Sequence, residues 1–552
     1  MNTHTLGVVL LMAMAALKPN NTPRLRLLSV ANIVTWTLAL VMWSYLGDIH
    51  RLTDVTTALS SPLASASSSF EVSGVLRRHL LGSSRKKTAD SAATLVERRA
   101  AAELAYRSGA PAQSASTRCL RTFQLGEDIV LQKNTAGGGD GSDPGASGRK
   151  SRWVRRNSRS LSYSHMPNVD KLANGTLIVT WQAAADVEGA MDQRIYFALA
   201  TDTYGTEWGV PRRLPVPATG ALWSPILHRS DVDGRVWLFY AESRDCMRPS
   251  HGRFPPRWVP CGDIKVTTTL TGDRWTAPRL ILSMDEGGGI PKVLANKPIK
   301  TSTNTWVLPF WREVPRNAKP VEGAKSKCTA PVGAGSLGGV NSAGATLSGG
   351  AGGSGNSAVK GSAGVLVSTD NGAHWNVHGA LTHPLTWLIE NTVAERRDRS
   401  LLMLFRTWAG QIFEAKSRDG GKSWTTPSPT GMPNPDSKIA MIHLDGGGSE
   451  DALALAFNDH QKYHEDGFTR FRTNLRIAIS QDGGSTWVRV AQMDEFRAPG
   501  WNYHYPTLIQ VDCKLLVVYS RTFVESDEEG AGAADDQHES GIRIGYVDLD
   551  KL

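Results

Sequence analysis

The chain has 552 residues, 40% of them hydrophobic and 20% charged, so it carries enough apolar material for a large core and is not a disordered chain. Its formal charge of +9 is local: residues 77–159 hold 17 Lys and Arg against 7 Asp and Glu, leaving 44 basic and 45 acidic residues elsewhere, which argues against a nucleic-acid-binding core. Five cysteines in this length exclude a disulfide scaffold.

Residues 1–26 are a short N-terminal segment. Leu27 to Leu46 is mostly apolar and about 20 residues long, the span a bilayer core requires, and predicts a transmembrane signal anchor. Arg24 and Arg26 precede it and Asp48 follows. That asymmetry predicts a single-pass type II membrane orientation, with the remainder in the Golgi or secretory lumen or outside the cell. A signal-peptide core at Leu6 to Leu17 and an organellar targeting sequence are the alternatives. Residues 47–159 are rich in Ser, Ala, Gly and Arg with little period, and read as a flexible basic stalk. A second Gly-rich tract, at about 321–363, reads as a disordered loop inserted into a domain.

From residue 160 to 552 the apolar runs are short, rich in β-branched and aromatic residues, and bounded by Gly, Pro, Asp and Asn, which predicts strands. They fall into six pairs. These are Thr176 to Trp181 with Arg194 to Ala200, Arg235 to Ala241 with Asp263 to Thr269, and Thr305 to Trp311 with Gly364 to Ser368. Ser400 to Arg406 with Gln411 to Ser417, Ala452 to Phe457 with Leu475 to Ser480, and Lys514 to Tyr519 with Ile542 to Val547 complete the set. With the insertion removed each unit has roughly 60 residues, the size of a propeller blade.

Several pairs are followed by Ser-x-Asp-x-Gly-x-x-Trp. It is complete at Ser368-Asp370-Gly372-Trp375, Ser417-Asp419-Gly421-Trp424 and Ser480-Asp482-Gly484-Trp487, and degenerate at Thr268 to Trp275 and Asp202 to Trp208. In such a box the Asp accepts backbone N–H bonds, the Gly supplies a positive φ and the Trp packs beneath the turn, a structural role. These boxes resemble the Asp-box, or BNR, repeat of sialidases. Asn296-Lys297-Pro298, Leu401 to Thr407, Pro433 to Lys438 and Tyr503-His504-Tyr505-Pro506 resemble a divergent BNR-repeat, sialidase-like group. The resemblance implies an all-β fold, a six-bladed sialidase-like β-propeller, preceded here by the predicted transmembrane helix and stalk.

It also implies an exo-glycosidase that hydrolyses terminal sialic acid or a related sugar from glycans. In that family a tyrosine attacks the anomeric carbon, a glutamate takes its proton, and arginines pair with the substrate carboxylate. By the resemblance the nucleophile is Tyr503, with Tyr505 able to exchange roles, and its base is Glu390. The carboxylate-binding arginines are Arg406 and Arg472, the latter with Arg470 and Arg476 as competitors. The separate acid falls in the loop Asp186 to Asp192, with Glu188 first and Asp192 in reserve. Where the family opens its first blade with Arg-Ile-Pro, this chain has His165-Met166-Pro167, and a histidine that is cationic near pH 6 still lacks a bidentate fork.

The departure keeps open a second class of function, a catalytically inactive propeller that binds glycans or proteins. Nothing predicts a cofactor or a metal; the partners implied are a glycan and, through the N-terminal helix, a membrane. A Cys246–Cys261 disulfide is predicted for an oxidising compartment, with Cys119, Cys328 and Cys513 in no zinc-like spacing.

Overall fold

A computed structural model describes Cys119 and residues 152–552, apart from 251–254, Cys261, 287–289, 315–317, 325–327, 329–360, 447–450, 462–471, 494–500 and 524–538. The expected membrane-spanning stretch, nearly all of the stalk and most of the Gly-rich insertion lie outside the described residues. Among the described residues no helix is long and apolar enough to cross a membrane.

The described chain is all-β, with one 3-10 turn at Leu549–Lys551. Six antiparallel meanders follow one another. The first is Tyr163–Lys171, Leu177–Ala184, Arg194–Leu199 and Arg212–Arg213; the second is Leu222–Arg229, Val236–Ser243, Gly262–Thr269 and Arg279–Leu282. The third runs through Ile299–Lys300, Trp306–Arg312, Ser362–Ser368 and Asn376–Leu381, and shares one nine-stranded sheet with the second because Lys292–Val293 pairs with both. The fourth is Ile389–Glu395, Leu401–Arg406, Gln411–Ser417 and Ser428–Pro433; the fifth is Ala440–His443, Leu453–Asn458, Leu475–Ser480 and Val488–Gln492. The sixth joins Trp501–Val511, Lys514–Phe523 and Gly541–Asp548 to Arg152–Arg156.

Each predicted strand pair is the second and third strand of one meander. The first strands pack on one another: Tyr163–Lys171 contacts both Leu222–Arg229 and Trp501–Val511, and Ile389–Glu395 contacts Ala440–His443, which contacts Trp501–Val511. The complete Asp-box turns lie between the third and fourth strands of their meanders. In the box after Ser362–Ser368, Ser368 Oγ donates to Asp370, Gly372 (φ 82°) donates its N–H to Ser368 Oγ, and Trp375 Nε1 donates to the Gly372 carbonyl at 3.1 Å.

Two expectations are corrected. Arg152–Arg156, expected within the stalk, is the fourth strand of the last sheet: Val154 is buried, and Trp153 lies against the guanidiniums of Arg156, Arg521 and Arg543. Its high Arg content disguised it; of these arginines Arg156 lies along the Trp153 ring while its charged head stays partly in water. Cys246 bonds to Cys328, 82 residues away, rather than to Cys261, and Cys119 bonds to Cys513. The reason is a small additional sheet, in which Cys246–Arg248 lies between Arg257–Trp258 and Lys319–Pro320 and so faces the start of the insertion.

The first strands of four meanders share a device. In each, two residues oppose one on the neighbouring strand, and the first of the two has a positive φ: Met166 (56°), Ser224 (51°), Glu390 (49°) and Tyr505 (56°). Such bulges re-aim side chains, and holding a non-glycine residue there costs roughly 1–3 kcal/mol. In three of the four the second residue is proline (Pro167, Pro225, Pro506), which has no N–H to lose at an interrupted ladder.

Candidate active site

Two of the bulged residues meet. Tyr505 Oη donates to Glu390 Oε1 at 2.8 Å, and Arg406 Nη1 donates both to Glu390 Oε2 at 2.8 Å and to Tyr505 Oη at 2.7 Å. Arg406 Nε binds Asp436 Oδ1 at 2.9 Å, so the guanidinium is braced between carboxylates from the fourth meander and the segment that follows it. All of Tyr505, Glu390 and Arg406 are buried. Asn296 Nδ2 donates to the carbonyls of Glu390 (2.9 Å) and Asn391 (3.2 Å), the two residues of that bulge, and so secures the backbone that aims the carboxylate.

The electrostatics follow from burial and neighbours. Burial raises the Tyr505 phenol well above its ordinary value, Arg406 opposes that rise and Glu390 adds to it, so the resting side chain is a neutral phenol. Burial works against the charge of Arg406, yet Asp436, Glu390 and Tyr505 together hold its pKa well above the usual value. Lys438 is buried with its Nζ donating to the Pro506 carbonyl; burial pulls it down to about 7, with Glu390 acting in the other direction.

Tyr503, the expected nucleophile, is not brought to Glu390. Its N–H donates to the Arg472 carbonyl at 2.8 Å, its carbonyl accepts from Asn458, and its ring is 2% exposed in the core between the fifth and sixth meanders. In a regular strand Tyr503 and Tyr505 would share a face; the bulge at Tyr505 separates them. Tyr505-Pro506 shares the X-Pro pattern of Met166-Pro167 and Ser224-Pro225, a sequence mark of the bulge that does not say what the re-aimed side chain meets.

His165 and Arg472 line the same place. The His165 ring centroid lies 4.1 Å from that of Tyr505, with Nδ1 3.0 Å from Ser520 Oγ, and Arg472 stands 5.4 Å from the Tyr505 ring centroid, donating to His504 Nδ1 at 3.3 Å. Burial, then Arg472, Arg406 and Lys438, push His165 well below its ordinary value. Lost solvent and surrounding positive charge thus both favour the neutral ring, against the cation expected from the sequence. Arg476 turns instead to Asn474 and Asp459, and Arg470 lies outside the described residues.

Of the acid candidates, Glu188 Oε1 accepts from Gln182 Nε2 at 3.1 Å, and the same amide donates to Tyr163 Oη at 3.0 Å. The charge of Glu188 is felt at both Tyr163 and Tyr505. Asp192 accepts from the Ala185 N–H at 2.9 Å and closes the base of its own loop. Glu313, not anticipated, accepts from Trp311 Nε1 at 3.0 Å; burial raises its pKa, and Arg248, Glu390 and Arg406 act on it. Among the described residues no group of three or more His, Cys, Asp or Glu side chains is set to hold a metal ion.

With this geometry in view, residues 175–517 match the family described as the BNR repeat-like domain, well over half of the chain. The chain belongs to that family. Within it this is a divergent sialidase-like protein. It is 28% identical over 149 residues to a sialidase from Bacteroides fragilis (strain YCH46), a match spanning 27% of this chain and 26% of that relative. Among solved structures it is similar to a Hadza microbial sialidase at 17% identity, covering 70% of this chain and 66% of the other with a TM-score of 0.48. It is similar also to the NanB sialidase of Streptococcus pneumoniae, at 12% identity over 73% of this chain and 71% of the other, TM-score 0.48.

Proposed function

We propose that this BNR-repeat protein is an exo-glycosidase of sialidase type, built on a closed six-bladed β-propeller and acting on terminal sialic acid or a related sugar of glycans. The observation that carries the reading is the Tyr505–Glu390–Arg406 triangle, each side a hydrogen bond of 2.7–2.8 Å. Tyr505 Oη attacks the anomeric carbon while Glu390 takes the phenolic proton, and Arg406 stabilises the oxygen as it gains charge. Glu188 gives its proton to the departing glycosidic oxygen. Water then enters, deprotonated by Glu188, and displaces the tyrosyl oxygen, which recovers its proton from Glu390. Arg472, Arg406 and His165 bind the sugar. The Cys119–Cys513 and Cys246–Cys328 bonds support an oxidising setting, lumenal or extracellular.

One observation favours the second reading, a propeller that binds glycans without cleaving them: His165, beside Tyr505, stands where the family has an arginine and lacks its bidentate fork. Aryl sialoside hydrolysis by the full chain between pH 4 and 8, beside Tyr505→Phe and Glu390→Gln, tests the proposal. Turnover that falls at least about 100-fold in both variants supports it. A folded protein that binds sialosides and turns none over establishes the second reading.

A further inference from the structure

The additional sheet lies outside the six meanders and has no part in the Tyr505–Glu390 chemistry, yet it touches the Glu188 loop. Trp258 donates its N–H to the Gly189 carbonyl at 2.8 Å, the residue beside Glu188. Gly189 has φ +81°, and a Cβ there would stand 2.4 Å from the Trp258 carbonyl oxygen and 3.2 Å from the Trp223 ring, so the loop backbone lies flush on the two tryptophans. The other side of the loop is tied by Gln193, which accepts from the Gly189 N–H at 2.8 Å and donates to the Leu222 carbonyl at 2.9 Å.

Strands this short cannot hold a sheet by themselves. Arg257–Trp258 and Lys319–Pro320 have two residues each and Cys246–Arg248 has three. What fastens them is the Cys246–Cys328 bond, with Val321 N–H donating to the Asp245 carbonyl at 2.8 Å and the Trp258 ring resting on Ala221, Trp223 and Ala241. The start of the Gly-rich insertion is thereby built into the wall that carries the acid. The proposed acid is thus held at two points, its carboxylate by Gln182 and, through the next residue, Gly189, by Trp258.

We infer that the disulfide-stapled sheet of Cys246–Arg248, Arg257–Trp258 and Lys319–Pro320 is the positioning device for Glu188, so that Cys246, Cys328 and Trp258 are positioning residues for proton donation to the leaving group. The inference rests on Glu188 being the acid. A nitrophenolate or similar aryl leaving group departs without a proton, whereas a sugar hydroxyl does not, so the two substrate types separate this role from general damage to the site.

The experiment compares the full chain with C246S/C328S and, leaving the disulfide intact, with G189A. Hydrolysis is followed on a nitrophenyl sialoside and on a sialyl-lactose, and amide hydrogen exchange is followed at residues 186–193. Both variants should lose at least about tenfold in kcat/KM on the sialyl-lactose while staying within about threefold on the aryl glycoside. Exchange at Gly189, Ala190 and Gln193 should quicken while Leu177–Ala184 keeps its protection. Equal losses on both substrates, or unchanged exchange in the loop, would overturn the inference. If wild-type protein cleaves neither substrate, the glycosidase reading fails while loop exchange still decides whether the stapled sheet holds the loop.

Discussion

His165-Met166-Pro167 and His504-Tyr505-Pro506 are the same backbone motif used twice. Both lie in the first strand of a meander, both put the middle residue at φ 56° with proline behind it, and both carry a histidine whose ring faces the other at 4.8 Å. At one the re-aimed side chain is a thioether in the apolar cluster; at the other it is a phenol between a carboxylate and a guanidinium. The bulge supplies direction and the side chain supplies chemistry. A strained bulge alone is therefore not a functional site in this protein, and the two must be told apart by what the re-aimed atom meets.

The largest effect that can break this comparison comes from the two tyrosines. Tyr505→Phe should abolish turnover, a loss of at least about 1,000-fold, with the fold intact by circular dichroism, whereas Tyr503→Phe should stay within about fivefold. Reversed outcomes would return the nucleophile to Tyr503. Next is the brace: Asp436→Asn leaves Arg406 with one carboxylate instead of two, and should lower kcat by roughly 10–100-fold and stability by up to about 3 kcal/mol in urea unfolding. An unchanged kcat would show that Glu390 alone orients the guanidinium.

A smaller effect sharpens the histidine half. His165→Arg places a permanent cation beside Tyr505 and should tighten binding of N-acetylneuraminic acid about tenfold by calorimetry, with little change for an uncharged hexose. Equal changes for both sugars would mean that the ring serves only as packing. A further prediction concerns Lys438. Its pKa of about 7 in the folded chain lies below the ordinary lysine value, so between those two the unfolded chain binds the extra proton and stability gains from rising pH. The stability of the wild-type protein relative to Lys438→Met should therefore be poorest below about pH 7 and improve toward pH 10; a constant difference in melting temperature would contradict the lowered value. The smallest effect is expected at the inert bulge, where Met166→Leu should change kcat less than about twofold.

The strand pairs and Asp-box turns were legible because each rests on local rules: alternation of apolar residues, turn glycines and a tryptophan three residues beyond. Glu390 and Arg406 were each legible as candidate site residues, whereas their ion pair follows from the adjacent strands that carry them. What was not legible depended on interruptions of regularity. The resemblance that put Tyr503 first, with Tyr505 as its alternative, carries no sign of the bulge that brings Tyr505 to Glu390, and Asp436, Asn296 and Lys438 reach the site from connecting segments whose course no periodicity encodes.

By itself the sequence determined an all-β chain of six repeated units, its membership of a sialidase-like family, and the residue types a glycosidase of that kind requires. Only the tertiary structure decided which tyrosine meets Glu390, that burial and neighbouring cations disfavour a charged His165, that Arg152–Arg156 belongs to the last sheet, and that Cys246 bonds to Cys328. The physical reason is common to all four. Side-chain direction at a bulge, the charge of a buried imidazole, the partner of an edge strand and the mate of a cysteine are each set by atoms distant in the chain, and local sequence rules carry no term for them.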